Sequence, residues 1–128
     1  MQKNVFGEAL ELCGLDPVTG YFRDGFTTTD ESDYGSHTVC AVVSAEFLEH
    51  QKSVGNDLST PATQFGFAGL KPGDRWAVCA PRWQQALEDG AACGVVLAAT
   101  NEAALEYINA EDLLAHSVDV PPDLSDLV

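Results

Sequence analysis

Basic side chains are scarce in this sequence. Three lysines and three arginines stand against twenty aspartates and glutamates, a formal net charge of −14. Phosphate backbones are held by clusters of Lys and Arg, so no nucleic-acid partner is expected. Anionic membrane surfaces are disfavoured for the same reason. The chain also lacks any apolar run near the ~20 residues that a membrane span needs, so no membrane partner is expected. Its start, "MQKNVFGEALELCG", has no charged stretch leading into a long apolar one, and no Asn-x-Ser/Thr acceptor occurs. A signal peptide is therefore not expected, and the expected compartment is the cytoplasm. Missing too are a glycine-rich phosphate cradle, HExxH, GxSxG and CxxC. Those absences weaken an enzymatic reading without closing it.

What remains is an acidic chain of ordinary apolar content, with 45% hydrophobic residues in 128. That length suits one domain with a real core. We read a single globular domain over 1–120 and a C-terminal tail over 121–128, after Pro121-Pro122. Charge of this size repels itself, which fits either a halophilic host whose salt screens it or simply an acidic protein.

The pattern along the chain is mixed. Residues 4–12 read as a weak opening strand, with Gly7 against it. "DPVTGYFRDG" holds two turns, and "FTTTDESDYG" reads as an acidic surface loop. "HTVCAVVS" is a short β-branched strand, covered on both faces. Ser44 is its exit and the N-cap of a helix over 45–54, with Phe47, Leu48, Gln51 and Val54 on one face and Gly55 as its stop. Residues 55–74 form a long irregular loop, in which Phe65, Phe67 and Leu70 need something to pack against. Pro72-Gly73-Asp74 turns into the strand "RWAVCA". A helix follows from Pro81, burying Trp83, Ala86 and Leu87 and ending at Gly90. A strand over 94–100, a helix capped by Thr100 or Asn101, and a last turn from Asn109 with Asp112 in a capping box complete the domain. The expected fold is α+β: a mixed sheet of three to five strands, three or four helices and the long central loop.

Val-Cys-Ala occurs twice, at Cys40 and at Cys79, each time inside an apolar strand. Four cysteines in a chain without an export signal default to reduced thiols. Each is either a small core hydrophobe or a reactive thiol. Strand alternation places His37, Val39, Ala41 and Val43 on one face and Cys40 on the other, so His37 and Cys40 point apart. Cys79 sits just before a helix start and Arg82, where an anionic sulfur is favoured. Cys79 and Cys40 are therefore the candidate nucleophiles. A zinc set of Cys13, His37, Cys40 and Cys79 lacks a close Cys pair in a turn, and we expect neither metal nor cofactor.

Other polar residues also carry two readings. Asn56, Asp57, Ser59 and Thr60 are either capped turns or a ligand-facing loop. Arg23, next to Asp24, is either ion-paired or a fork for an anionic ligand, and Arg82 beside Trp83 likewise. His50 and His116 are expected in solvent.

The segments "DPVTGYFRDG", "GSHTVCAVVSAEFLEH", "GNDLSTP", "GFAGLKPGDRWAVCAPRWQQAL" and "LEYINAEDLLAH" resemble a bacterial family, domain of unknown function 2237, over about residues 4–118. The resemblance implies a single-domain cytosolic protein with no assigned activity. It directs attention to His37, Cys40, Asn56, Asp57, Cys79, Arg82 and Trp83. Relatives often carry a Cys where Ala77 stands, another near Phe26 or Thr27, and a His where Asn101 stands. This chain has none of these, so a zinc site built from them would be incomplete here.

Three functional expectations follow. The first is a small-molecule-binding or accessory protein, with a pocket where Arg23, the 55–60 loop and the start of the Arg82 helix converge. The second is a thiol-dependent enzyme using Cys79 or Cys40. The third is a protein-interaction domain using the apolar loop 64–70. Oligomeric state is left open.

Overall fold

The computed structural model describes residues 2–62, 64 and 67–119. Three short strands form one sheet: β1 (Val39–Val42), β2 (Arg75–Val78) and β3 (Gly94–Val95). Helix α1 (Ala45–Ser53) joins β1 towards β2 through the long loop, and α2 (Ala80–Glu88) joins β2 to β3. A short helix α3 (Ala110–Ala115) follows two 3-10 turns at Leu97–Ala99 and Glu102–Glu106. The architecture is α+β.

The sheet order is β2-β1-β3, with both pairings antiparallel. The expected mixed sheet is thus corrected: the parallel pairing among the described residues is an isolated bridge of Val95 with Ser117. Strand β1 is central because both of its edges are paired, which suits its run of buried side chains. Val39 faces Val78, and Ala41 faces both Trp76 and Val95. That face builds the main core with Phe47, Trp83 and Ile108. Cys40, opposite Ala77, points the other way into a small second cluster with Cys13, Val96 and Ala99.

Local signals hold at most element ends. Ser44 caps α1, its hydroxyl accepting from the Phe47 N–H at 3.1 Å. Phe47, Leu48 and Gln51 are buried, and Gly55 follows with φ +89°. In α2, Pro81 stands in the first turn, where its missing N–H costs nothing. Trp83 is fully buried and donates its indole N–H to the Cys93 carbonyl at 3.2 Å.

Three segments differ from expectation. Residues 4–12 form a loop rather than a strand. Buried Asn4 organises it, accepting from the Phe6 and Glu8 N–H groups and donating to the Ala9 and Ala98 carbonyls. The strand expected over 94–100 stops at Val95. The Val96 N–H still donates to the Cys40 carbonyl of β1, but those of Leu97 and Ala98 donate to the Asp119 carboxylate at 2.8 and 3.0 Å instead of to a neighbouring strand. Asn109 makes no side-chain cap bond, so the capping box with Asp112 does not form.

The long loop is packed in its described part. The Leu58 carbonyl accepts from the Leu70 N–H at 2.8 Å, and Ala62 and Phe67 exchange two bonds. Phe67 rests on Trp76 with ring centroids 5.3 Å apart. Phe65 and the tail over 121–128 lie outside the described residues.

Candidate functional site

The loop before β1 is tied by its own backbone. The Asp33 N–H donates to Asp30 and the Ser36 N–H to Asp33, so two turns follow one another. Ser36 takes φ +50° and its carbonyl accepts from the Ala80 N–H at 2.9 Å, pinning the loop to the start of α2. The register that pairs Val39 with Val78 then carries His37 and Cys79 past the ends of their strands side by side. Strand alternation does not govern this pair, because His37 precedes β1 and Cys79 is the N-cap of α2.

The result is a line of three side chains. The Cys79 sulfur lies 3.4 Å from His37 Nε2. On the other side of the ring, His37 Nδ1 lies 2.6 Å from an oxygen of Asp33. The second Asp33 oxygen accepts from the His37 backbone N–H at 2.9 Å and from the Thr29 hydroxyl at 3.0 Å. The Asp33 side chain is fully buried and the His37 side chain is 34% exposed. Tyr21 stacks on the imidazole with centroids 5.8 Å apart. A carboxylate that accepts three bonds is fixed in place, and it fixes the ring in turn.

Charge follows from this geometry. The hydrogen bond that the ring gives to Cys79, and behind it the one it gives to Asp33, raise the His37 pKa to about 9 against the opposing effect of burial. The ring is therefore an imidazolium at neutral pH, held between a sulfur and a carboxylate. The sulfur also sits at the N-terminal end of α2, whose first turn carries no acidic residue. Cys79 is partly exposed and opens onto a surface depression of about 580 Å³ that Tyr34, Gly35, Arg82, Gln85 and Glu88 also line.

The remaining candidates fall in different places. Cys40 is bonded to Cys13 in a buried disulfide, which corrects the expectation of four reduced thiols and removes Cys40 as a nucleophile. The Cys13, His37, Cys40 and Cys79 zinc set is not assembled, since two of its sulfurs are joined to each other. Burial pushes the Cys93 thiol up to about 12, so it is an inert core residue. Trp83 has no exposed surface and belongs to the core.

Arg23 lies 5.0 Å over the Trp76 ring and donates to the Gly20 carbonyl, beside a different depression lined by Pro17, Phe67 and Trp76. Asp24 accepts from the Phe26 N–H and the Thr28 hydroxyl, which is a turn-capping role. Asp57 is exposed and accepts from Thr60 and Ser59 through side chains and backbone. Those bonds, the Thr60 hydroxyl first, hold its pKa at about 2. Asn56 is tied to Gln51 at 2.7 Å. Of the expected convergence, Arg82 does reach the end of α1, 3.4 Å from the Val54 carbonyl, but Arg23 is not part of it.

The two other histidines are engaged rather than solvated. His50 meets Asp89 at 2.8 Å, and His116 packs edge-on against Trp83. Asp33, Tyr21 and Gly35 are the site residues that the sequence reading missed. The available signal was the spacing Asp33…His37 in "DYGSH", which lies in a loop with no period to mark it.

Among the described residues no helix is long and apolar enough to cross a membrane, and no group of three or more His, Cys, Asp and Glu side chains is arranged to hold a metal ion. No curated protein matches the chain. Residues 3–117 match the family described as an uncharacterised protein conserved in bacteria, domain of unknown function 2237, and the chain belongs to that family.

Proposed function

We propose that this protein is a thiol-dependent enzyme of the acyl-transfer class, with Cys79 as nucleophile, His37 as acid and base, and Asp33 as the group that orients His37. The observation that carries the reading is the Cys79–His37–Asp33 line, with distances of 3.4 and 2.6 Å. Nucleophile, base and orienter in hydrogen-bond sequence form the arrangement by which weak nucleophiles are activated.

In the first half-reaction the sulfur attacks a carbonyl carbon and a C–S bond forms. The bond to the leaving group breaks as the His37 imidazolium gives that group a proton. Water then attacks the thioester, His37 takes one of its protons, the C–S bond breaks, the carboxylic acid leaves with the other, and the Cys79 thiolate beside the His37 imidazolium is restored. Asp33 keeps Nε2 directed at the sulfur throughout, because it holds Nδ1 and the His37 backbone together. The proposed compartment remains the cytoplasm, with the Cys13–Cys40 disulfide protected there by its burial.

The test is alkylation by iodoacetamide at pH 7, read by peptide mass spectrometry, with hydrolysis of a 4-nitrophenyl ester alongside. Cys79 should label at least tenfold faster than a free cysteine peptide, while Cys93 stays unlabelled in the native state. His37→Gln should remove most of that advantage, and Cys79→Ser should abolish ester turnover. A Cys79 no faster than the peptide, and indifferent to His37→Gln, would sink the proposal.

A further inference from the structure

Arg82 stands one turn beyond the sulfur and lines the same depression. Residues three apart at a helix start share a face, with Cβ atoms about 5–6 Å apart. Its guanidinium is under-used. One nitrogen, Nη1, makes two long contacts of 3.4 Å each, to the Val54 carbonyl and the Gln85 side-chain oxygen, both neutral. No carboxylate pairs with it: the ion pairs among the described residues both involve histidine. None of the six Lys and Arg side chains has a carboxylate partner among the described residues, and Arg82 is the one of the six that is half-buried rather than exposed. Arg23 shows the contrast, since its guanidinium is laid over Trp76 and bonded to its own turn.

An overall charge of −14 also repels anions from the surface, so an anionic substrate would need a local cation to bind here. Nε and Nη2 of Arg82 make no hydrogen bond among the described residues, and the planar fork of a guanidinium matches a carboxylate. Resting on the thiol-enzyme reading, we infer that the acyl substrate of Cys79 carries a carboxylate a few bonds from the carbonyl that is attacked, and that Arg82 binds it. Glu88, which lines the same depression, then discriminates against a second negative group.

Two alkylating reagents of the same size test this without knowledge of the natural substrate. Iodoacetate carries a carboxylate and iodoacetamide does not. The imidazolium of His37 favours the anionic reagent whatever stands at position 82, so the change on mutation isolates the guanidinium. The iodoacetate-to-iodoacetamide rate ratio at Cys79 should fall about three- to tenfold in Arg82→Gln, and molar KCl should shrink the wild-type ratio. Arg82→Lys, which keeps the charge and loses the fork, should fall between. In parallel, the 4-nitrophenyl monoester of succinate should have a kcat/KM at least tenfold above that of the neutral butyrate ester, and that preference should collapse in Arg82→Gln.

Fast iodoacetamide labelling with a ratio unchanged by Arg82→Gln would overturn the inference and leave the thiol reading standing. Slow labelling by both reagents would overturn both. A denaturant midpoint that moves while the ratio does not would show Arg82 to be a tie between α2 and the end of α1, which also overturns the inference.

Discussion

Gly35 touches no reacting atom, yet it sets the geometry of the site. A Cβ built there would stand 3.0 Å from the Cys79 sulfur and 3.1 Å from His37 Cε1. Both contacts are tighter than ordinary packing, so Gly35→Ala must move the sulfur, the ring or both by a few tenths of an ångström. Its φ is outside the left-handed region, so the backbone itself accepts alanine. Overpacking costs about 1–3 kcal/mol, and the lost freedom of the unfolded chain returns about 0.4–1 kcal/mol. The net effect expected on stability is a loss of about 0–2.5 kcal/mol. The effect on reactivity should be clearer. A 1 Å displacement can cost about a hundredfold, so a few tenths should cost about three- to tenfold in the Cys79 alkylation rate at pH 7. Iodoacetamide kinetics by mass spectrometry and a urea titration on the same samples provide both numbers. A variant that labels at the wild-type rate with a wild-type midpoint would refute the close Gly35–Cys79–His37 packing, and the triad with it.

Other consequences can be measured with the same tools. The Cys13–Cys40 disulfide closes a sequence separation of 27 residues; on the chain-entropy account that is worth about 3.5 kcal/mol. Replacing both cysteines by alanine should lower the urea midpoint accordingly, and equal stability with and without the bond would contradict its presence. Raising the His37 pKa from 6.5 to about 9 on folding stabilises the protein fully below about pH 6.5. That contribution fades as pH rises towards 9, on the order of 1 kcal/mol once screening of the part-exposed ring is allowed for. Stability against pH should show this decline, and His37→Gln should flatten it; parallel curves would count against the bonded pair. Trp83→Ala should cost about 3–5 kcal/mol as a core deletion, and a loss below 1 kcal/mol would contradict its full burial. Asp57→Ala should leave Cys79 labelling unchanged, since Asp57 serves only its own exposed turn.

The elements with strong local signals were legible from sequence: β1 from its β-branched run, β2 from the apolar stretch behind the Pro72-Gly73-Asp74 turn, α1 from Ser44 to Gly55, and α2 behind Pro81. Residues 4–12 were not, because their backbone is held by the Asn4 side chain and by the distant Ala98 and Thr100 carbonyls, and residues 94–100 were not, because the Leu97 and Ala98 N–H groups donate to the Asp119 carboxylate further along the chain. The two Val-Cys-Ala phrases show the same division. Their shared local frame marks two strands of one sheet, and alternation rightly turned His37 away from Cys40.

Composition and periodicity by themselves determined an acidic α+β domain, the Ser44 cap of α1 and the position of Cys79 before a helix. Only the tertiary structure decided the fates of the four sulfurs. Cys40 faces the small cluster on the back of the sheet and meets Cys13 there, while the antiparallel register brings His37 to Cys79 across 42 residues. Register is a property of two strands together, so no window along one of them contains it.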